Sequence, residues 1–119
     1  MVERFVDAFE RADVDAIVDL LAEDSTFAMP PYPSWYRGRE AIADSWLIPG
    51  PRPAGLRYLP TRANGQLALG AYALDPERRR FLPIALDVLA LRGGSIAEIT
   101  AFRAPGIFRS FGLPDELTA

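Results

Sequence analysis

The chain has 119 residues, of which 50% are hydrophobic and 24% are charged, and its formal net charge is −3; we expect one globular domain over residues 1–119. Cysteine and histidine are absent, which excludes disulfides, thiolate metal sites and catalytic sites of the Ser-His or Cys-His type. The negative net charge argues against direct nucleic-acid binding by this domain alone. The sequence has no long apolar run and no secretory signal, which predicts a cytoplasmic location without membrane contact.

The first half of the chain predicts three helices and one short strand. Apolar residues at helical spacing indicate a first helix up to Ala12, and Asp13 is placed to cap a second helix whose buried face includes Leu21. A short strand over Ser25–Met29 leads into a loop that three prolines stiffen. A third helix fits Arg39–Ile48 and is stopped by a Pro-Gly pair.

The second half of the chain predicts a four-stranded antiparallel meander. Two turn signals, Asn64-Gly65 and Gly93-Gly94, each separate two extended segments. A short helix completes the chain after the last strand. The predicted strands and this helix are Gly55–Ala63, Gln66–Leu74, Arg80–Arg92, Ser95–Arg103 and Pro105–Phe111.

Helices followed by a long meander predict an α+β fold in which the N-terminal helices pack on one face of a curved antiparallel sheet. The strands also carry apolar residues toward the second face, as in the run Ile84–Leu91. Because that face needs cover as well, we expect a partner subunit there and therefore a homodimer.

The order of these elements resembles the cone-shaped nuclear-transport-factor-two-like fold, which is also called cystatin-like. Within that fold, the sequence resembles the SnoaL-like domains found at the C-terminus of extracytoplasmic-function sigma factors. The matching motifs are Phe5–Ala12, the stretch from Met29-Pro30-Pro31 through Trp35, and Ala101-Phe102-Arg103. The resemblance implies an accessory, regulatory domain. Its expected partners are a small hydrophobic molecule and, in a full-length parent, the neighbouring sigma domains or RNA polymerase.

Asp87 is the candidate site residue with the clearest physical signal, because it interrupts an otherwise apolar strand. A buried carboxylate needs a partner or a raised pKa. Counting outward from Gly93-Gly94 places Asp87 opposite Thr100, so we expect Phe102 on the same face and Arg103 on the opposite face. Asp87 is then a general acid or base, or a ligand acceptor; the alternative is a structural carboxylate bonded to Thr100 or to an arginine.

Large side chains with polar groups supply the other candidates. Tyr36 is the second candidate catalytic residue, because a tyrosine hydroxyl can stabilise developing negative charge. The alternative for the aromatic residues is ordinary core packing, and for the arginine an ion pair at the end of the sheet. The candidate ligand-binding residues are Met29, Trp35, Trp46, Tyr58, Tyr72, Thr100, Phe102 and Arg103.

Two functions from different classes fit these residues. The first is the regulatory, ligand-binding domain that the resemblance implies. The second is a small enzyme, an isomerase, cyclase or hydrolase of a hydrophobic carbonyl or epoxide compound, in which Asp87 moves a proton. Neither function requires a cofactor or a metal. A purely structural or dimerisation domain with a solid core is the third possibility.

Overall fold

A computed structural model describes residues 2–11, 13–30, 35–46, 56–63, 65–103 and 105–118. In these described residues, three α-helices, an eight-residue strand and a three-residue strand form the first half. Four strands of eight residues or more, a 3₁₀ helix and a two-residue strand form the second half. The helices are α1 (Val2–Glu10), α2 (Val14–Leu20), α3 (Arg39–Trp46) and the 3₁₀ helix Pro105–Phe111. The strands are β1 (Leu21–Ala28), β2 (Trp35–Arg37), β3 (Leu56–Ala63), β4 (Gln66–Asp75), β5 (Arg80–Arg92), β6 (Ser95–Phe102) and β7 (Leu117–Thr118).

The predicted meander is confirmed, since β3, β4, β5 and β6 pair in sequence as antiparallel neighbours. The sheet as a whole is mixed, because β1 lies parallel beside β6. The strand order is β2-β1-β6-β5-β4-β3, and the two-residue β7 pairs with the start of β5. The α+β fold class is confirmed; the expectation of a purely antiparallel sheet is wrong at the β1–β6 pair.

The N-terminal helices match their predicted positions with one shift. The Asp13 side chain caps α2 by accepting a hydrogen bond from the Ala16 N–H at 3.1 Å. Leu21 belongs to β1 and not to the helix, because its backbone is extended (φ −84°, ψ 142°), so the strand starts four residues before the predicted Ser25. The predicted end of the third helix at Ile48 lies outside the described residues. No helix in the described part of the chain is long and apolar enough to cross a membrane.

The sheet face that carries Leu69, Ala85 and Leu89 packs against the helices, and we call it the helix face. Its core continues into α1, α2 and α3 through Phe5, Ile17 and Ile42 at their buried positions. This single apolar cluster therefore holds the three helices to the sheet.

The opposite sheet face is covered by the chain itself. Residues 105–118, which we call the C-terminal strap, place the fully buried Phe108 and the buried Leu113 against Tyr72 and Leu86. The Tyr72 ring meets the Phe108 ring edge-on at 5.2 Å. Because the strap packs on this face, the apolar residues there do not by themselves call for a partner subunit, and the homodimer stays a prediction.

Candidate functional site

The register of the β5–β6 hairpin determines which residues share a face with Asp87. Asp87 pairs with Ala101, not with Thr100 as predicted. The register shifts by one residue near the turn, where Ala97 is the additional residue in β6. Since side chains alternate between faces along a strand, this single insertion moves every later residue of β6 to the other face relative to the simple count.

The shift reverses three predicted placements. Thr100 and Phe102 lie on the face away from Asp87, and Phe102 packs against the apolar cluster that includes Phe108 and Leu113 of the strap. Arg103, two residues beyond Ala101, lies on the same face as Asp87 and not opposite to it. The structure therefore brings Arg103 to Asp87 and removes Thr100 and Phe102 from its surroundings.

Asp87 lies on the helix face between Leu69 and Ala101, its partners on the two neighbouring strands. It is only 9% exposed, and no donor in the described part of the chain hydrogen-bonds its carboxylate. Burial raises its pKa to about 7, and the positive charge of Arg103 opposes that rise. At neutral pH, Asp87 can therefore either accept or donate a proton.

Arg103 is exposed at the end of β6. Its backbone N–H donates to the Pro30 carbonyl at 2.9 Å, and its guanidinium Nη2 lies 4.0 Å from the Met29 sulfur. None of the ion pairs found among the described residues involves Arg103. Its charge acts on Asp87 without a direct ion pair, so both groups keep hydrogen-bonding capacity for a ligand.

Tyr58 joins these two residues from the edge strand β3. Its ring packs against Phe9 at 5.5 Å with an interplanar angle of 73°. Burial raises the pKa of the Tyr58 hydroxyl above its ordinary value, the negative charge of Asp87 raises it further, and Arg103 opposes both. Tyr58 is therefore a neutral hydrogen-bond donor near Asp87. We call Asp87, Arg103 and Tyr58 the Asp87 cluster.

Tyr36 and Met29 are the predicted site residues on the short strand β2 and just after β1. Both are partly buried and pack against the apolar core of the helix face. The Tyr36 ring lies 6.3 Å from the ring of Phe27, its partner on β1. The structure thus places Tyr36 on the helix face, and its predicted catalytic role stays a prediction.

The remaining predicted site residues lie elsewhere. Trp35 is 63% exposed on the short strand β2 and does not form a buried wall. The fully buried Tyr72 faces the C-terminal strap, where its hydroxyl donates to the Pro114 carbonyl at 2.7 Å. Trp46 is the last residue of α3, and its side chain lies outside the described part of the structure. Tyr72 is thus in a structural position, separated from Asp87 by the sheet.

An open cleft of about 430 Å³ lies on the same face as Asp87, about two residues closer to the hairpin turns along β4 and β5. Leu89, two residues after Asp87, lines it together with Phe5 and Leu67. Asp87 is not among the residues that line this cleft. The cleft therefore extends the apolar surface beside the cluster, on the side of the β3–β4 and β5–β6 turns.

Sequence reasoning missed one residue at this site, Glu10 at the end of α1. Its carboxylate oxygen Oε2 accepts a hydrogen bond from the backbone N–H of Tyr58 at 3.0 Å. In the sequence, Glu10 is an ordinary polar residue on the solvent side of an amphipathic helix. No local signal connects it to a strand residue 48 positions later.

Comparisons with known proteins agree with this architecture. The model of a family described as the SnoaL-like domain matches residues 2–99. The chain is 34% identical over 119 residues to the ECF RNA polymerase sigma factor SigG from two strains of Mycobacterium tuberculosis. That match covers 98% of this chain but 32% of the sigma factor, so the chain spans about a third of the length of its curated relatives.

Solved structures share the fold at low sequence identity. An NTF-2 like protein of unknown function from Burkholderia xenovorans LB400 has a TM-score of 0.67 and 20% identity, covering 92% of this chain and 88% of that one. An LEH-like epoxide hydrolase from Mycobacterium tuberculosis has a TM-score of 0.62 and 18% identity, covering 87% of this chain and 79% of that one. These similarities establish the nuclear-transport-factor-two-like fold.

Proposed function

Because the chain belongs to the SnoaL-like domain family, we propose that it is an accessory, regulatory domain that binds a small hydrophobic molecule at the Asp87 cluster. The observation that carries this proposal is the carboxyl group of Asp87, which is buried on an apolar face and accepts no hydrogen bond from the described residues. A buried carboxyl without a partner is destabilising. A ligand that supplies a hydrogen-bond donor would satisfy it.

The chemistry of the cluster defines the ligand class. The surroundings are apolar, as expected for a small-molecule site with a few placed polar groups. Asp87 offers a hydrogen-bond acceptor, and Tyr58 and Arg103 offer donors. The proposed ligand is therefore a mostly apolar molecule that carries a hydrogen-bond donor close to a carbonyl, hydroxyl or other acceptor oxygen.

The sigma-factor relative supports a regulatory setting for this binding. The chain matches a third of that protein over nearly its own full length. We propose that the parent protein acts in the cytoplasm, where the domain contacts neighbouring sigma domains or RNA polymerase and ligand binding alters that contact. The homodimer stays a prediction, and sedimentation of the isolated domain would test it.

Thermal denaturation with a library of small hydrophobic compounds tests ligand binding directly. A ligand at about one hundred times its Kd raises the free energy of unfolding by about 2.7 kcal/mol, which raises Tm by about 10 °C in a domain of this size. We expect Asp87→Asn to reduce this rise. The matched control is Asp24→Asn, which removes an exposed carboxylate paired with Arg92 and should leave the rise unchanged.

Transcription tests the regulatory part of the proposal. The domain is fused to the promoter-recognition domains of a related sigma factor, and transcription is compared with and without it. We expect deletion of the domain, or Asp87→Asn within it, to change transcription from a target promoter. Equal transcription from all three proteins would contradict a regulatory role.

A second candidate function is catalysis, and the observation that favours it is the Asp87 pKa of about 7. General acids and bases work best when their pKa lies near the working pH. An isomerase, cyclase or hydrolase of a hydrophobic carbonyl or epoxide compound would use Asp87 to move the proton and Tyr58 or Tyr36 to stabilise negative charge. Turnover of such a compound that survives Asp87→Asn would exclude Asp87 as the base.

A further inference from the structure

We propose that Glu10 is a positioning residue that fixes the edge strand β3, and with it Tyr58, over Asp87. This proposal rests on the proposed function of the Asp87 site, and it concerns the contacts that hold Tyr58 in place there. A residue at the end of the first helix would then determine whether Asp87 is shielded from water.

The first support is the hydrogen bond at the edge of the sheet. β3 is the outermost strand in the strand order, so every second N–H along it points away from the sheet. At Tyr58 this N–H donates to Glu10 Oε2 at 3.0 Å. Pro60, which points the same way two residues later, has no N–H. Glu10 therefore ties the edge strand to α1 at the residue that belongs to the Asp87 cluster.

The second support is the ring contact beside that bond. Phe9, the neighbour of Glu10, packs its ring edge-on against the Tyr58 ring at 5.5 Å. Phe9 itself is 4% exposed and belongs to the core of the helix face. Two consecutive residues of α1 thus hold Tyr58, one through its backbone and one through its side chain.

The third support is the space between Tyr58 and Asp87. Tyr58 pairs with Ala71 on β4, and Ala71 pairs with Ala85 on β5. Both alanines are buried, so only two methyl side chains separate Tyr58 from the strand that carries Asp87. The influence of the Asp87 charge on the Tyr58 hydroxyl agrees with this placement.

Among the described residues, Arg103 after β6 acts on the Asp87 charge, and Asp87, Arg103 and Glu10 on α1 all act on the Tyr58 hydroxyl on β3. Tyr36 on β2 packs against the apolar core of the same sheet face. If the hydrogen bond from Tyr58 to Glu10 is lost, β3 can move outward and admit water to Asp87. Burial is the main cause of the raised Asp87 pKa, so hydration of the carboxyl should lower that pKa.

The test measures the Asp87 pKa by ¹³C NMR of the carboxyl carbon, assigned with Asp87→Asn, in the full chain. We expect Glu10→Ala to lower the pKa by at least about one pH unit. Glu10→Gln should keep the wild-type value, because the glutamine carbonyl can accept the same N–H. Asp7→Ala, which removes an exposed carboxylate from the same helix, is the matched control and should also keep it.

Ion pairing needs its own control, because the Arg57 guanidinium lies 3.9 Å from the same Glu10 oxygen. Arg57→Gln removes that ion pair and leaves the hydrogen bond to Tyr58. We expect it to leave the Asp87 pKa unchanged. A fall as large as in Glu10→Ala would assign the effect to the ion pair and overturn the proposal.

Amide hydrogen exchange in the wild-type chain gives a second measurement that does not depend on a variant folding. We expect the Tyr58 amide to exchange at least about tenfold more slowly than the Arg62 amide on the same strand edge. Equal exchange rates, or an Asp87 pKa that Glu10→Ala does not change, would overturn the proposal. A wild-type Asp87 pKa near 4 would instead show that the Asp87 carboxyl is hydrated or already paired, against the buried, unpartnered carboxyl on which the proposed function rests, so the two failures are distinct.

Discussion

Asp87→Asn should change how the stability of this domain depends on pH. Burial raises the pKa of Asp87 from 3.8 to about 7, whereas the unfolded chain keeps the ordinary value. Each tenfold difference in proton affinity corresponds to about 1.4 kcal/mol. The interval of about three pH units therefore corresponds to about 4 kcal/mol, which is an upper limit because water that reaches the carboxyl reduces it.

The sign follows from which state binds the proton more tightly. Between about pH 4 and pH 7 the folded state keeps the Asp87 proton while the unfolded state has released it. The contribution of Asp87 to stability is therefore fully present below about pH 4, falls as the pH rises, and is lost above about pH 7. Asparagine has no proton to release, so the variant lacks this fall.

The assay is urea unfolding of both proteins at intervals from about pH 4 to pH 8. The free energy of unfolding of Asp87→Asn minus that of the wild type should increase with pH over this range and then level off. Other carboxylates contribute equally to both proteins and cancel in the difference. Asp24→Asn is the control, because the exposed pair with Arg92 lowers the Asp24 pKa below its ordinary value of 3.8. The contribution of Asp24 is therefore lost only below about pH 4, so the difference for this variant should stay constant over the assay range. A difference for Asp87→Asn that does not vary with pH would refute the reasoning.

Two further predictions concern the C-terminal strap and are checked by urea unfolding. Gly70→Ala should destabilise the domain by about 1–3 kcal/mol, because the added Cβ would lie 2.6 Å from a methyl group of the buried Leu113. The control is Gly106→Ala, where an added Cβ would meet no atom from elsewhere in the described structure within 4 Å; it should stay within about 0.5 kcal/mol of the wild type. Tyr72→Phe should destabilise the domain by about 1 kcal/mol, because it removes the hydrogen bond to a strap carbonyl; an unchanged free energy of unfolding would mean that water replaces this bond without loss.

The parts of the fold that the sequence predicts correctly have short-range signals. The turn at Gly93-Gly94 separates β5 from β6 at the predicted place, and Asp13 caps α2 as predicted, since both depend on a few adjacent residues. The start of β1 was missed, because Leu21 fits the apolar face of a helix as well as that of a strand.

The face assignment around Asp87 needed long-range information. The extra residue, Ala97, is a small apolar residue that fits either face of a strand. Its side chain therefore does not show that the register shifts there. Counting from the turn then gave Thr100 in place of Ala101 as the partner of Asp87. The contact between Glu10 and Tyr58 was missed for a related reason, since it joins two elements that only the tertiary fold brings together.

Ser25 and Asp87 differ in how much their burial costs and in what their backbones contribute. Both are buried polar residues, and the Ser25 hydroxyl also lacks a hydrogen-bond partner. A neutral hydroxyl is far less costly to bury than a carboxyl group, and the Ser25 carbonyl accepts the Gly38 N–H at 2.7 Å, where β1 meets the start of α3. The Asp87 backbone makes ladder pairs that an apolar residue would make equally well. Its side chain therefore adds a destabilising group without a structural benefit in the described part of the chain, which is the pattern expected where stability is given up for binding or chemistry.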